Sequence, residues 1–193
     1  VLSEEGAQQS GPALQQRLSA ERTWIVDPLD GTREFGEHPR IDWAVHIALV
    51  IGGSPVAGAV ALPAEHLTLG TDPAPVLPEV DAEARPRVIV SRTRRPPAAQ
   101  RLAKELDADY IEMGSAGAKA MAVVRGTADI YAHSGGQFEW DSCAPVAVAE
   151  AAGLHCSRLD GNPLVYNNAD PYLPDLLICR REWAERCLAI LNR

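Results

Sequence analysis

The segment Trp24-Ile25-Val26-Asp27-Pro28-Leu29-Asp30-Gly31-Thr32 constrains this chain more than any other: an apolar, β-prone run that ends in a turn carrying two carboxylates and a hydroxyl. A strand of this kind delivers its turn to a sheet edge, where ligands gather in α/β proteins. Asp27-Pro28-Leu29-Asp30-Gly31 is also a good plain turn, because proline presets φ and glycine accepts a positive φ. A second acidic segment lifts it above that reading. Trp140-Asp141-Ser142-Cys143-Ala144-Pro145 sets another carboxylate just ahead of a helix-like stretch. Hard divalent cations take oxygen ligands, and Asp27, the Leu29 carbonyl, Asp30 and Asp141 can supply them while leaving positions for water and a phosphate. Gly31-Thr32-Arg33-Glu34-Phe35 can open a short helix whose free N–H groups face an anion.

Composition removes several classes. With 193 residues and 46% hydrophobic content the chain can bury one substantial core or two small ones. No run approaches the ~18 apolar residues that span a bilayer, and no basic-then-apolar leader opens the chain, so no membrane partner and a cytoplasmic location are expected. The net charge of -8 offers no basic stripe for a nucleic-acid backbone. A phosphorylated ligand must then be attracted locally, and bound cations reverse the sign of an acidic pocket. Cys143, Cys156, Cys179 and Cys187 lack metal-site spacing and sit in apolar runs, which reads as reduced core thiols.

Val1-Leu2-Ser3-Glu4-Glu5-Gly6 reads as the end of a strand entering an acidic turn, and with no initiating Met a preceding segment is expected. Gln8 to Arg22 is polar, with at most one short helix. Thr23–Val26 is a strand, Trp43–Ile51 and Val56–Leu62 form a hairpin through Gly52-Gly53-Ser54-Pro55, and His66–Thr71 extends the sheet. The Pro- and acid-rich residues 72–86 mark a linker between a metal-binding unit, 1–71, mainly antiparallel, and an α/β unit, 87–193. Strands at Arg87–Ser91, Tyr110–Met113 and Ala128–His133 alternate with helices at Pro97–Leu106 and Ala116–Arg125, the pattern of a partly parallel sheet. A helix Asp141–Ala152, a strand Leu176–Cys179 and a helix Arg181–Leu191 follow. His46 and His133 lie in apolar strands and read as structural histidines, and Trp24 and Trp140 as packing that fixes the acidic backbone.

Glu4-Glu5, then Asp27-Pro28-Leu29-Asp30-Gly31-Thr32, then Trp140-Asp141 with Ala144, resembles the inositol monophosphatase superfamily of magnesium-dependent, lithium-sensitive phosphatases. Leu2-Ser3-Glu4-Glu5 and Asp30-Gly31-Thr32-Arg33-Glu34-Phe35 look most like its 3′(2′),5′-bisphosphate nucleotidase branch. The resemblance implies an α/β fold, the layered αβαβα sandwich, here without the N-terminal helical hairpin and the further upstream Asp that members usually carry. It implies two or three Mg²⁺ per site. Glu4, Asp27 and the Leu29 carbonyl match the first cation's ligands, and Asp27, Asp30 and Asp141 the second's. Thr32 with Glu4 matches the pair that positions the attacking water, so Glu4, Thr32 and Asp30 are the candidate catalytic residues. The Gly31 and Thr32 amides match phosphate donors. Gly114-Ser115-Ala116-Gly117-Ala118-Lys119 resembles a segment lining the nucleoside pocket and Ser91-Arg92 one that approaches the substrate. Each equally suits a bland loop. With Arg33, the candidate substrate contacts are Gly31, Thr32, Arg33, Ser91, Arg92, Gly114, Ser115 and Lys119. Where many relatives have Gly after Trp-Asp-x-x-Ala this chain has Pro145, expected in a first helical turn and harmless there.

The expected partner is a small phosphorylated nucleotide, 3′-phosphoadenosine 5′-phosphate, hydrolysed by water, with a homodimer as the candidate assembly. Inositol-1-phosphate and fructose-1,6-bisphosphate are the alternative substrates, since the metal core does not select the alcohol. A haloacid-dehalogenase-type phosphatase would place its two Asp one residue apart, which Asp27 and Asp30 do not. A regulatory nucleotide- or metal-binding module is the non-enzymatic alternative, disfavoured by the joint presence of ligands and Thr32.

Overall fold

Inward Thr23, Ile25 and Asp27 alternate with outward Arg22 and Trp24, the pleat period of a sheet with one buried face. The structure, a computed structural model, describes residues 1–6, 10–80 and 84–193; the start of the expected polar loop and part of the expected linker lie outside the described residues. Strand β1 (Leu2–Ser3) pairs in parallel with β2 (Arg22–Asp30), Ser3 opposite Val26. The chain between them holds a short helix, α1 (Gly11–Ser19). A second short helix, α2 (Thr32–Gly36), follows the acidic turn. Strands β3 (Ala44–Ile51), β4 (Ser54–Leu62) and β5 (Leu67–Gly70) then add antiparallel in sequence order, giving β1-β2-β3-β4-β5. Gly52 (φ 58°) and Gly53 (φ 82°) make the expected hairpin turn, both in the left-handed region that suits such turns.

The second sheet begins with β6 (Arg87–Ser91), α3 (Pro97–Leu106), β7 (Asp109–Met113), α4 (Ala116–Val124) and β8 (Ile130–Phe138). It ends with α5 (Glu139–Ala151), β9 (His155–Ser157), β10 (Tyr172–Cys179) and α6 (Arg181–Leu191). Its order is β7-β6-β8-β10-β9, parallel across β7, β6 and β8 and antiparallel beyond. Two features differ from the sequence reading. Strand β8 runs past His133 to Phe138 through Gly135 and Gly136, both at positive φ, opposite an irregularity in β10; a glycine pair reads as a stop, yet here the ladder resumes behind it. The three-residue β9 carries too little pattern to be seen.

Helices α4 and α5 pack between the two sheets, while α3 and α6 pack on the far face of the second. One core joins the inner face of the first sheet to α4, α5 and Ile89, Tyr131, Leu176 and Ile178; another joins Val88, Val90, Ile130 and Leu177 to α3 and α6. Successive residues Val88, Ile89 and Val90 feed alternate cores, which is why the middle of β6 is apolar on both faces. The outer face of the first sheet exposes Trp24 and Ile47, at 45% and 44%. Trp24 is therefore a face residue and not packing behind the acidic turn. The four cysteines are free thiols, three of them buried. No helix among the described residues is long and apolar enough to cross a membrane.

Candidate metal centre

A regular strand would aim Asp27 and Asp30, three residues apart, at opposite faces. The β2–β3 ladder instead shifts register between them, and both carboxylates are buried on the same side. The Leu29 amide donates to Asp27 Oδ1 (3.0 Å), and the Thr32 hydroxyl donates to the Leu29 carbonyl (3.1 Å), fixing the bulge from within. Gly31 then turns the chain into α2 at φ 85°, and a Cβ there would lie 3.1 Å from that of Ser115. Glycine is required on both counts.

Asp141 arrives from the second half of the chain. It is the third residue of α5, and its Oδ2 accepts from the Phe138 amide (2.6 Å), half of a capping box. Helix α5 packs on β2 and β3 and so brings this carboxylate over the acidic turn. Ligand oxygens of Asp27, Asp30 and Asp141 all lie within 4.8 Å of one another. Glu4, exposed in the turn after β1, is outside this tight group, yet its charge acts on both Asp27 and Asp141.

Gathering acids in a dry place costs free energy, and the carboxyls record it. Burial, and then the charge of Asp30, push Asp27 up to about 8 and Asp141 up to about 7. Asp30 goes the other way. Burial acts to raise it, but the hydrogen bond and charge of His46, with Lys119 and Ser115, hold it below the usual carboxylate range. Its Oδ2 accepts from the Ser115 hydroxyl (2.5 Å) and the Gly117 amide (2.7 Å), and His46 Nε2 stands 3.2 Å away. Three converging oxygen ligands, two of which would shed their protons on binding, suit a hard divalent cation.

The remaining expected site residues are placed more variously. Ser115 caps α4, its oxygen accepting from the Ala118 amide while its hydroxyl binds Asp30. Lys119 is buried, its ammonium donating to the Gly114 (3.2 Å) and Ser115 (2.5 Å) carbonyls above the Tyr131 ring. Burial depresses its pKa against the pull of Asp30. Arg92 is held by Glu34 (2.6 Å) and Glu37 (2.7 Å), which ties α2 to the second sheet, while Arg33 pairs with Glu37 at the surface. Ser91 bonds Thr93. The glycines of the 114–119 segment have a packing cause: a Cβ at Gly114 would lie 2.2 Å from Glu34 Cγ, and one at Gly117 2.0 Å from His46 Nε2.

Helix α5 starts before Trp140, so Pro145 is an interior residue and not a first-turn one. It has no N–H to offer the Asp141 carbonyl four residues back. Sequence reasoning missed Asp42, which accepts from the Gly114 amide (2.5 Å) and pairs with Arg40, and it missed the contact of His46 with Asp30. A polar residue on the buried phase of Ala44-Val45-His46-Ile47-Ala48, opposite Asp27 in the ladder, was the available signal for the second.

The family model for the inositol monophosphatase family matches residues 1–193. The 3′-phosphoadenosine 5′-phosphate phosphatase of Mycobacterium bovis is 51% identical over 181 residues, covering 87% of this chain and 66% of that protein. The 3′(2′),5′-bisphosphate nucleotidase CysQ of Escherichia coli K12 is 31% identical over 182 residues, covering 90% and 72%. The chain thus spans about two thirds of the length of the curated relatives it matches. Among solved structures, CysQ from Bacteroides thetaiotaomicron superposes with a TM-score of 0.77 at 27% identity, covering 93% of this chain and 76% of that one.

Proposed function

This chain belongs to the inositol monophosphatase family, and we propose that it acts as a Mg²⁺-dependent phosphomonoesterase releasing the 3′-phosphate of 3′-phosphoadenosine 5′-phosphate to leave AMP. The observation that carries the reading is the buried convergence of Asp27, Asp30 and Asp141, crowded enough that two of them hold their protons far above the ordinary carboxylate range and would yield them to a cation. Similarity to relatives named for this activity supports the choice of substrate.

In this proposal Glu4, Asp27 and the Leu29 carbonyl hold one Mg²⁺, and Asp27, Asp30 and Asp141 another. Bound cations lower the pKa of water and neutralise charge on the phosphoryl oxygens and the leaving alkoxide. The chain's own groups do the rest. The Thr32 oxygen, its hydrogen committed to the Leu29 carbonyl, and Glu4 would orient the attacking water, and the Glu4 carboxylate would receive its proton. The Gly31 and Thr32 amides receive a phosphoryl oxygen. Attack by water needs no acyl-phosphate on Asp27 or Asp30.

Contacts to the nucleoside and second phosphate are assigned to Arg33, Ser91, Arg92, Gly114, Ser115 and Lys119 with different demands on each. Arg92 can grip a phosphate only by exchanging Glu34 or Glu37 for it. Lys119 contributes its positive field from behind the Ser115 carbonyl. The test is phosphate release from 3′-phosphoadenosine 5′-phosphate, inositol-1-phosphate and fructose-1,6-bisphosphate, each with Mg²⁺ and with EDTA. The highest kcat/KM is expected for the nucleotide, and none of the three should turn over in EDTA. Preference for an inositol or sugar phosphate would overturn the substrate, and turnover in EDTA would overturn the metal.

A further inference from the structure

We infer that His46 is a positioning residue that spans the two acidic motifs, holding Asp30 in the β2 turn and the Trp140–Asp141 step of α5 at a fixed separation. The inference rests on reading Asp27, Asp30 and Asp141 as cation ligands. These ligands come from distant parts of the chain and from different layers, and side-chain packing alone leaves room for small slips between layers. A cation centre tolerates little slip, because its ligands must meet one ion.

The His46 ring is placed to prevent it. The residue lies opposite Asp27 in the β2–β3 ladder and is 1% exposed, between inward Ala44 and Ala48. At one end Nδ1 donates to the carbonyl of Trp140 (3.1 Å), the residue immediately before Asp141. At the other end Nε2 stands 3.2 Å from Asp30 Oδ2. A third element braces the ring: the Gly117 amide donates to the same Asp30 oxygen, and any Cβ at 117 would fall 2.0 Å from Nε2. Because the Ser115, Gly117 and His46 contacts all fall on Oδ2, Asp30 is oriented to reach a cation through Oδ1.

The imidazolium form suits this task because both nitrogens then donate, one to a carbonyl and one to a carboxylate, from different points of one rigid ring, so a single side chain fixes a distance. Asparagine reproduces roughly the Nδ1 position and can keep the Trp140 tie alone. Glutamine reproduces roughly the Nε2 position and can keep the Asp30 tie alone. A histidine that merely fills core volume would behave differently: its replacement would lower stability and leave the cation affinity of the folded protein alone.

The experiment is calorimetric titration of the purified chain with Mn²⁺ and with Mg²⁺, beside thermal melts in EDTA. It compares wild type, His46→Asn, His46→Gln, His46→Ala, Gly117→Ala and the double variant that combines His46→Ala with Gly117→Ala. Each His46 variant should bind cations about 10- to 100-fold more weakly, the range seen when groups that orient metal ligands are changed. Gly117→Ala should weaken binding similarly, since its methyl displaces the ring. In the His46→Ala background the same methyl should cost much less, because the ring it displaced is gone, so the cycle is non-additive. Wild-type cation affinity in both His46→Asn and His46→Gln overturns the inference, and so does strict additivity of the cycle. A wild-type chain that binds neither cation removes the metal reading first and this inference with it.

Discussion

Asp129 and Asp30 are similarly buried, at 5% and 7% exposure, yet they live in opposite electrostatic settings. Asp129 meets Arg87 through two parallel hydrogen bonds of 2.9 Å, and it also accepts from the Arg87 amide (2.8 Å). A fork on a carboxylate is a closed arrangement that pins the start of β6 beside the start of β8 in the middle of the second sheet. Asp30 shares its space with two further carboxylates, and the positive groups nearby are one histidine and one desolvated lysine. The same residue type thus serves two ends: a carboxylate paired inside the chain holds the fold, and carboxyls crowded without enough partners make a place for an ion.

The contrast breaks most readily by neutralising one acid in each region. Asp30→Asn and Asp141→Asn keep side-chain shape but weaken a ligand, and phosphate release at saturating Mg²⁺ should fall by ~10²-fold or more with the circular-dichroism spectrum kept. Asp129→Asn should do the reverse, costing about 2 kcal/mol in urea unfolding, typical of a hydrogen bond to a charged group, while kcat of the folded protein stays within about twofold. If Asp129→Asn abolishes turnover in a folded protein, the division of labour is wrong.

A third measurement sharpens the same point through pH. Asp27 and Asp141 keep their protons to about 8 and about 7 in the folded chain, against 3.8 for an ordinary aspartate. Between roughly pH 4 and 8 the unfolded state therefore binds fewer protons, so stability falls as pH rises through that window. Melting in EDTA should occur at lower temperature at pH 8 than at pH 6. Mg²⁺ requires the deprotonated ligands, so its affinity should rise over the same interval, with proton release detectable by calorimetry in buffers of different ionisation enthalpy. A flat melting profile in EDTA would show that the acids are not crowded in solution. At the small end, Arg33→Ala removes an exposed pair with Glu37 and should leave the midpoint of urea unfolding where it is in the wild type.

Much of this was legible in the sequence, and the limits have physical causes. The acidic segment declares itself because two carboxylates and a proline interrupt an apolar strand, although the strand continues to Asp30 through a bulge where a turn was expected, and the β–α alternation after residue 86 follows from period changes in the hydrophobic pattern. Ligand chemistry could group Asp141 with that segment and resemblance could give it a role, but nothing local in Trp140-Asp141 says which layer it meets. Asp42 went unseen, and the particular partners of His46 and Lys119 could not be named from the sequence. Each acts through partners far along the chain, Gly114 for Asp42 and Trp140 for His46, or folds its charge back onto its own backbone, as Lys119 does. Resemblance and residue type together suggested that Arg92 and Lys119 face a ligand; the structure gives both of them protein partners as well.

The first sheet is a meander, with β2 to β5 side by side in the order in which they leave the ribosome. Such pairings close short loops and need little chain to be in hand, so they are expected early in folding. Asp141 reaches them only when α5 docks, after the strands of the second sheet that precede it have been made. The three carboxylates are therefore expected to meet late. Their mutual repulsion would then burden the last step of assembly and spare the first, and a divalent cation in the refolding buffer should slow unfolding more than it speeds folding.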